Sequence, residues 1–156
     1  MARISVPAAA RELFEQLSLS VPVSAVAVAR ELGLHVDYLP LKSISGIMIP
    51  SEELILVSTR QRNGRRNFTV AHEVGHYILH IEKNSCFACI MDMHIRLPLE
   101  REANLFAAEL LMPADSVKSL AANMCIRRMA TYFRVSNQAM EIRVAELGIS
   151  SSVELG

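Results

Sequence analysis

The stretch FTVAHEVGHYILH, residues 68–80, decides how the rest of the chain is read. It is an otherwise apolar helix that carries His72 and His76 four residues apart, with Glu73 directly after the first. On a helix that spacing stands one imidazole a turn above the other, so both project from one face and can share one metal ion. Glu73 lies one position round from His72, where it can touch a water on that ion without displacing it. This is the HExxH arrangement of metallohydrolases, in which the ion acidifies the water and the carboxylate takes its proton. Gly75 adds weight, because a glycine inside such a helix costs about 1 kcal/mol relative to alanine and implies close packing or a bend. The rival reading is a buried helix with incidental histidines.

A catalytic zinc keeps three protein ligands and one open position, so HExxH needs a third donor. His80 is nearest by spacing, but three successive turns of a straight helix spread their side chains over about 12 Å, which cannot surround a tetrahedral ion. We read His80 as structural. The next helical segment, LEREANLFAAELLMP (99–113), offers Glu100 and Asn104 on one face. A glutamate one turn before a short amide suits a metal ligand followed by a group that hydrogen-bonds a ligating imidazole. Glu102 points elsewhere round the helix and is the alternative ligand.

Working outward, Ser5–Ser18 has helical apolar spacing, and SVPVSAVAVARELGL (20–34) reads as a second helix stopped by Gly33. The runs LHVDYLPL, SGIMIP and EELILVST (34–59) are three short strands, expected to be antiparallel. TRQRNGRRN (59–67), with Arg60, Arg62, Arg65 and Arg66, reads as a solvated basic loop with a turn at Asn63-Gly64, leading into a helix that starts near Phe68 or Thr69. Pro98 takes the place of a helix start, and the helix runs from Leu99 to Met112, stopped by Pro113. Three more helical stretches follow between residues 114 and 148, with Ser136 as a cap and Gly148 as a stop. Helices, a small sheet, then helices make an α+β arrangement, a single domain over 1–149 with a helical subdomain at 114–149 and a tail at 150–156.

Composition narrows the function classes. Hydrophobic residues are 51% of the 156 and charged ones 21%, so the chain can bury a core. Lys plus Arg and Asp plus Glu are both 16, which leaves no broad field of one sign for nucleic acid or a membrane surface. No window is long and apolar enough to span a bilayer. The first residues lack a secretory pattern, and three cysteines make no disulfide framework, which together point to the cytosol.

Two further motifs invite other readings. Cys86 and Cys89 form C-x-x-C with His94 five residues on, half of a second zinc site that nothing in the sequence completes. Residues 126–148 resemble a helix-turn-helix, but the second helix carries Glu141 and Glu146 beside a single Arg143, and phosphate contacts want positive charge. We read them as a helical cover that shapes a groove. The eight methionines are read as core filler, with Met48, Met91 and Met93 as possible linings of a peptide groove.

FTVAHEVGHYILH followed by EREANLFAAELLMP, with ISGIMI before them and A-x-x-F-x-V-S-x-x-A-M-x-x-R after, resembles the ImmA/IrrE family of metallo-endopeptidases. The resemblance runs over most of the chain; the CFAC insertion departs from it. It implies a zincin-like fold with a small, mainly antiparallel sheet packed on the HExxH helix, Zn2+ held by His72, His76 and Glu100, and Glu73 as general base. It also implies a cytosolic endopeptidase acting on a protein substrate, a helix-turn-helix repressor of a mobile element or stress response. Tyr77, His94 and Tyr132 are the candidate oxyanion helpers, and SGIMIP is the candidate edge for a substrate strand. The alternatives are a module that sequesters a repressor without cutting it, and a DNA-binding regulator acting through 126–148.

Overall fold

A computed structural model describes residues 4–80 and 93–149. Two short helices open it. In α1 (Val6–Gln16) the Ser5 hydroxyl accepts from the Ala8 N–H; in α2 (Ala25–Glu31) Ser24 does the same for Ala27, and Gly33 follows with φ of +80°. Both helices bury small apolar faces, α1 against the later helix α4 (Met93–Leu111) and α2 against α3 (Asn63–His80).

The sheet contains β1 (His35–Leu39), β2 (Gly46–Ile49) and β3 (Leu54–Ser58) in the order β1-β3-β2. Strands β2 and β3 are antiparallel, joined by a 3-10 turn at Pro50–Glu52 and by Glu53 in the left-handed region. The expectation of a mainly antiparallel sheet is corrected at β1, which runs parallel to β3. The chain after β1 crosses the end of β3 and returns as the far edge strand, so β3 rises between the two in the direction of β1. That crossing is pinned from below: the Ser58 hydroxyl donates to Leu41 O, and the Gln61 amide donates to Ser45 O. Gln61 Oε1 in turn accepts from the Thr69 hydroxyl, tying the crossing to α3.

Helix α3 is the centre of the molecule and begins at Asn63, five residues before the expected start. The Asn-Gly pair that reads as a turn is its first turn, because Gly64 meets the C-terminal helices closely: a Cβ there would lie 2.8 Å from the Val135 carbonyl. Asn67 reinforces the junction. Its Oδ1 accepts from Ala25 N–H at the start of α2, and its Nδ2 donates to Val23 O and Arg134 O. Arg66, read as solvated, donates to Thr59 O and lies 5.9 Å over the Tyr38 ring.

Helix α4 also begins earlier than expected, and Pro98 lies inside it. Proline has no N–H, so one helical hydrogen bond is forfeited at that position. Helices α5 (Ala114–Ala121), α6 (Ile126–Phe133) and α7 (Asn137–Glu146) close the fold. Arg134 in the left-handed region ends α6, and the Ser136 hydroxyl caps α7 at Ala139. Arg143 on α7 is buried, donates to Met112 O and pairs with buried Glu109 of α4. The core runs through Ile55, Val57, Val74, Phe106, Leu110, Met129, Phe133 and Met140. Met48 is 2% exposed and belongs to this core, which removes it from any groove. Cys86, Cys89, Met91 and the tail 150–156 lie outside the described residues.

Candidate metal centre

The site is made where α3 crosses α4, and the crossing is set by Gly75. A Cβ at that position would stand 3.1 Å from the Phe106 ring and 3.3 Å from the Ala103 backbone. Its absence lets α4 press against the histidine face of α3, so Glu100, Glu102 and Asn104 reach the imidazoles. Of the two conditions under which an interior glycine was expected, close packing is the one realised.

Both imidazoles turn the same edge inward. His72 Nε2 is 3.0 Å from His76 Nε2 and 3.1 Å from a Glu100 oxygen, and His76 Nε2 is 3.7 Å from the other Glu100 oxygen. His72, His76 and Glu100 bring one donor atom each to within 4.8 Å of one another. Four donors set tetrahedrally at zinc distances stand roughly 3.3 Å apart, so the triangle matches an ion of that size. The outward edges are engaged elsewhere. His72 Nδ1 is 2.8 Å from Asn104 Oδ1, and His76 Nδ1 is 3.0 Å from His80 Nδ1. Glu102, the alternative ligand, is directed to His80, with 2.8 Å between its Oε2 and His80 Nε2.

Glu73 is 7% exposed and faces the edge of the sheet. The N–H of Ser58 donates to Ser45 O, so in the alternation of an antiparallel ladder the backbone groups of Gly46 and Met48 point away from β3. Met48 N–H is hydrogen-bonded to the Glu73 carboxyl. A Cβ on Gly46 would lie 2.6 Å from the Thr69 methyl and 3.4 Å from Glu73 Oε1, so glycine keeps this strand close to the acid.

The electrostatics follow from this crowding. Burial, aided by the Glu100 charge and opposed by His72 and the Met48 N–H, pushes the Glu73 carboxyl up to about 7. Glu100 is held well below the usual carboxylate range by its bonds to His72 and then His76. Burial opposes protonation of His72, but the Glu100 bond and the charges of Glu73 and Glu100 outweigh it and raise the group. Burial lowers His76, as do the neighbouring imidazoles. One carboxylate is therefore favoured in its ionised form beside two imidazole nitrogens, while burial draws its neighbour toward the protonated form.

A cleft of about 410 Å³ opens above these groups, walled by Ser43–Gly46 on one side and by Arg65, Phe68 and Thr69 on the other. Arg65 was read as part of a solvated loop. The missed signal is helical spacing: continued backward from His72, the face passes through Phe68 and Thr69 to Arg65. A second hollow of about 550 Å³ adjoins it, sharing Arg65, Phe68 and Asn104 and bounded by Leu105 and Ile142. Neither Tyr77 nor Tyr132 lines the cleft; Tyr77 packs against the core and Tyr132 lies edge-on to Phe133. No helix among the described residues is long and apolar enough to cross a membrane.

Comparison with known proteins places this geometry. Over 95 residues the chain is 28% identical to the radiation response metalloprotease IrrE of Deinococcus deserti, covering 56% of this chain and 32% of that protein. It is 25% identical over 100 residues to the metallopeptidase ImmA of Bacillus subtilis, covering 62% of this chain and 59% of that one. The chain thus spans about one third to three fifths of these relatives. A solved structure of a Mycobacterium tuberculosis transcriptional regulator shares the fold, with a TM-score of 0.68 at 17% identity over 90% of this chain and 46% of that one. The model of the Peptidase_M78 family, the IrrE N-terminal-like domain, matches residues 29–145, and with most of its length so covered the chain belongs to the ImmA/IrrE metallopeptidase family.

Proposed function

We propose that the chain is a zinc endopeptidase with a zincin-like catalytic unit of the HExxH-plus-glutamate type, and that it cuts a protein substrate, a helix-turn-helix repressor, in the cytosol. The observation that carries this reading is the convergence of His72, His76 and Glu100 beside the buried Glu73 at the floor of an open cleft. Two imidazole nitrogens and one carboxylate oxygen are a donor set that suits zinc and leaves a position open. A divalent ion held there would supply Lewis acidity, polarising the scissile carbonyl and acidifying water.

The residues of the chain would do the rest. Glu73, isolated from solvent and steadied by Met48 N–H, accepts a proton from the attacking water and passes it to the leaving amine nitrogen. Asn104 holds His72 in orientation. The outward backbone groups of Gly46 receive an extended segment as an added strand next to Glu73, which sets the scissile bond over the base.

Co-expression with a repressor encoded beside it tests the proposal. A discrete repressor fragment is expected with the wild type and none with Glu73→Gln. Cleavage that survives Glu73→Gln would remove the base assignment, and release of the repressor from its operator without any fragment would favour sequestration.

A further inference from the structure

The hollow that adjoins the cleft takes no part in the chemistry described above. Its volume is about 550 Å³, and Phe68 of α3, Leu105 of α4, Met112 and Ile142 of α7 are in its lining. Met112 is buried, whereas Leu105 and Ile142 are 40% and 54% exposed. Single exposed aliphatic side chains are ordinary on a protein surface, but here two from different helices line one concavity. The hollow is continuous with the cleft: both are lined by Arg65, Phe68 and Asn104, and Asn104 Oδ1 is 2.8 Å from His72 Nδ1. Phe68 precedes His72 by four residues on α3, about 6 Å along the helix axis. A substrate strand running along the cleft advances about 3.3 Å per residue, so a side chain about two positions from the one over Glu73 reaches the hollow.

We propose that this hollow is a substrate subsite of the peptidase. It takes a large aliphatic or aromatic side chain within about three residues of the scissile bond and rejects lysine and arginine, and Leu105 and Ile142 set the preference. The proposal rests on the peptidase reading above. An apolar occupant removes Leu105 and Ile142 from water without burying a polar group that lacks a partner. The charges at the rim supply the rejection. Arg65 and Arg101 line the hollow and are exposed, while Arg143 is buried against Glu109 and Glu146 lies 3.9 Å from the Arg143 guanidinium. An entering side chain therefore meets positive charge, which a terminal ammonium or guanidinium opposes and an apolar side chain does not.

A degenerate peptide mixture incubated with the zinc-loaded full chain, with the cleaved products sequenced, reads the preference at each position from the cut. Leu, Ile, Met and Phe are expected to exceed Ala by about tenfold or more at one position within about three residues of the new terminus, with Lys and Arg depleted there. In Ile142→Asn and in Leu105→Asn, both at exposed positions outside the core, the preference is expected to shrink to within about threefold. Equal use of Ala and Leu at every position overturns the proposal, as does enrichment of Lys or Arg at the apolar position or a preference that persists in both variants. In each of those cases peptides are cut, so the peptidase reading stands. Where no peptide is cut, that reading fails, and methyl spectra of the metal-free protein decide the hollow. N-acetyl-leucinamide and N-acetyl-lysinamide are added at equal concentration. Saturable shifts at the Leu105 and Ile142 methyls with the first alone keep the hollow as a site for apolar side chains; shifts with neither, or with both, overturn it.

Discussion

Two charged groups sit on α4, about two and a half turns apart, one half-buried at Glu100 and one buried at Glu109, and they are built to opposite rules. Glu109 and Arg143 satisfy each other: Arg143 also donates to Met112 O, and Arg11 stands 3.9 Å from the second Glu109 oxygen. Glu100, by contrast, meets two imidazoles that are themselves crowded together, beside a carboxyl of its own sign that burial keeps near neutrality. The first group locks the C-terminal helices onto α4. The second gathers its carboxylate and two imidazole nitrogens around one point beside a cleft, an arrangement that a cation could join. Removing partners from the two groups should therefore have different signatures, one in function and one in stability.

The largest effect is expected at the open group. His72→Ala or Glu100→Ala should reduce bound zinc from one equivalent to none, measured by elemental analysis after dialysis, and abolish proteolysis with a melting temperature close to that of metal-free wild type. Retention of zinc after Glu100→Ala, with loss after Glu102→Ala, would reverse the ligand assignment.

At the closed group the expectation inverts. Glu109→Ala leaves the buried Arg143 guanidinium with only the more distant and exposed Glu146 carboxylate at 3.9 Å and should destabilise by about 3 kcal/mol in urea unfolding. The double variant Glu109→Leu with Arg143→Met removes both charges and should recover most of that loss. Zinc stoichiometry should stay at one in the folded fraction of each. A change in metal affinity as large as that of the ligand variants would mean that the two groups are one network.

The contrast also marks what the sequence could carry. Residues at fixed spacing on one helix were legible: the shared face of His72 and His76, the position of Glu73, the Glu100–Asn104 pair, and Gly75 as a point of close packing. Ser136 as a cap and Gly33 and Gly148 as stops were legible because capping is local chemistry. The direction of β1 was not, because strand order depends on where the loop at 40–45 crosses, and local patterning is the same for either sense. The start of α3 was hidden because Asn63-Gly64 is a strong turn signal that close packing on Val135 overrides. The roles of His80 and Arg143 depend on partners 22 and 34 residues away in the chain, which no periodicity reports.

A smaller effect is expected where the helices cross. Gly75→Val would drive its branches into Phe106 and Ala103, and α4 would have to retreat from the histidine face. Overpacking of this kind costs about 1–3 kcal/mol, and zinc affinity should fall with it because Glu100 and Asn104 move as one body with Ala103. Lost stability with unchanged affinity would show that the histidine face tolerates the displacement.

The smallest effect is the one that most sharply separates a functional acid from a structural one. In metal-free protein the Glu73 carboxyl titrates at about 7 instead of its ordinary 4.5, because burial penalises its charge. Between those values the native state holds a proton that the unfolded chain has lost. Stability from this group is therefore complete below about pH 4.5 and falls as pH rises through about 7. A displacement of that size corresponds to at most about 3 kcal/mol. Glu73→Gln keeps an acceptor for Met48 N–H but carries no charge, so above pH 7 it should be more stable than wild type by about 1–3 kcal/mol, or roughly 3–9 °C in melting temperature. Near pH 4 the two should melt alike. Glu100, whose stabilisation is lost in acid, and His72, whose stabilisation is lost as pH rises, contribute to both proteins, and the part of the His72 contribution that depends on the Glu73 charge remains in the difference between them. A variant that loses cleavage and gains stability in alkali would show that the fold bears a cost at Glu73 for the sake of its chemistry. A flat difference across pH would place the carboxylate in a solvated site and weaken its assignment as the base.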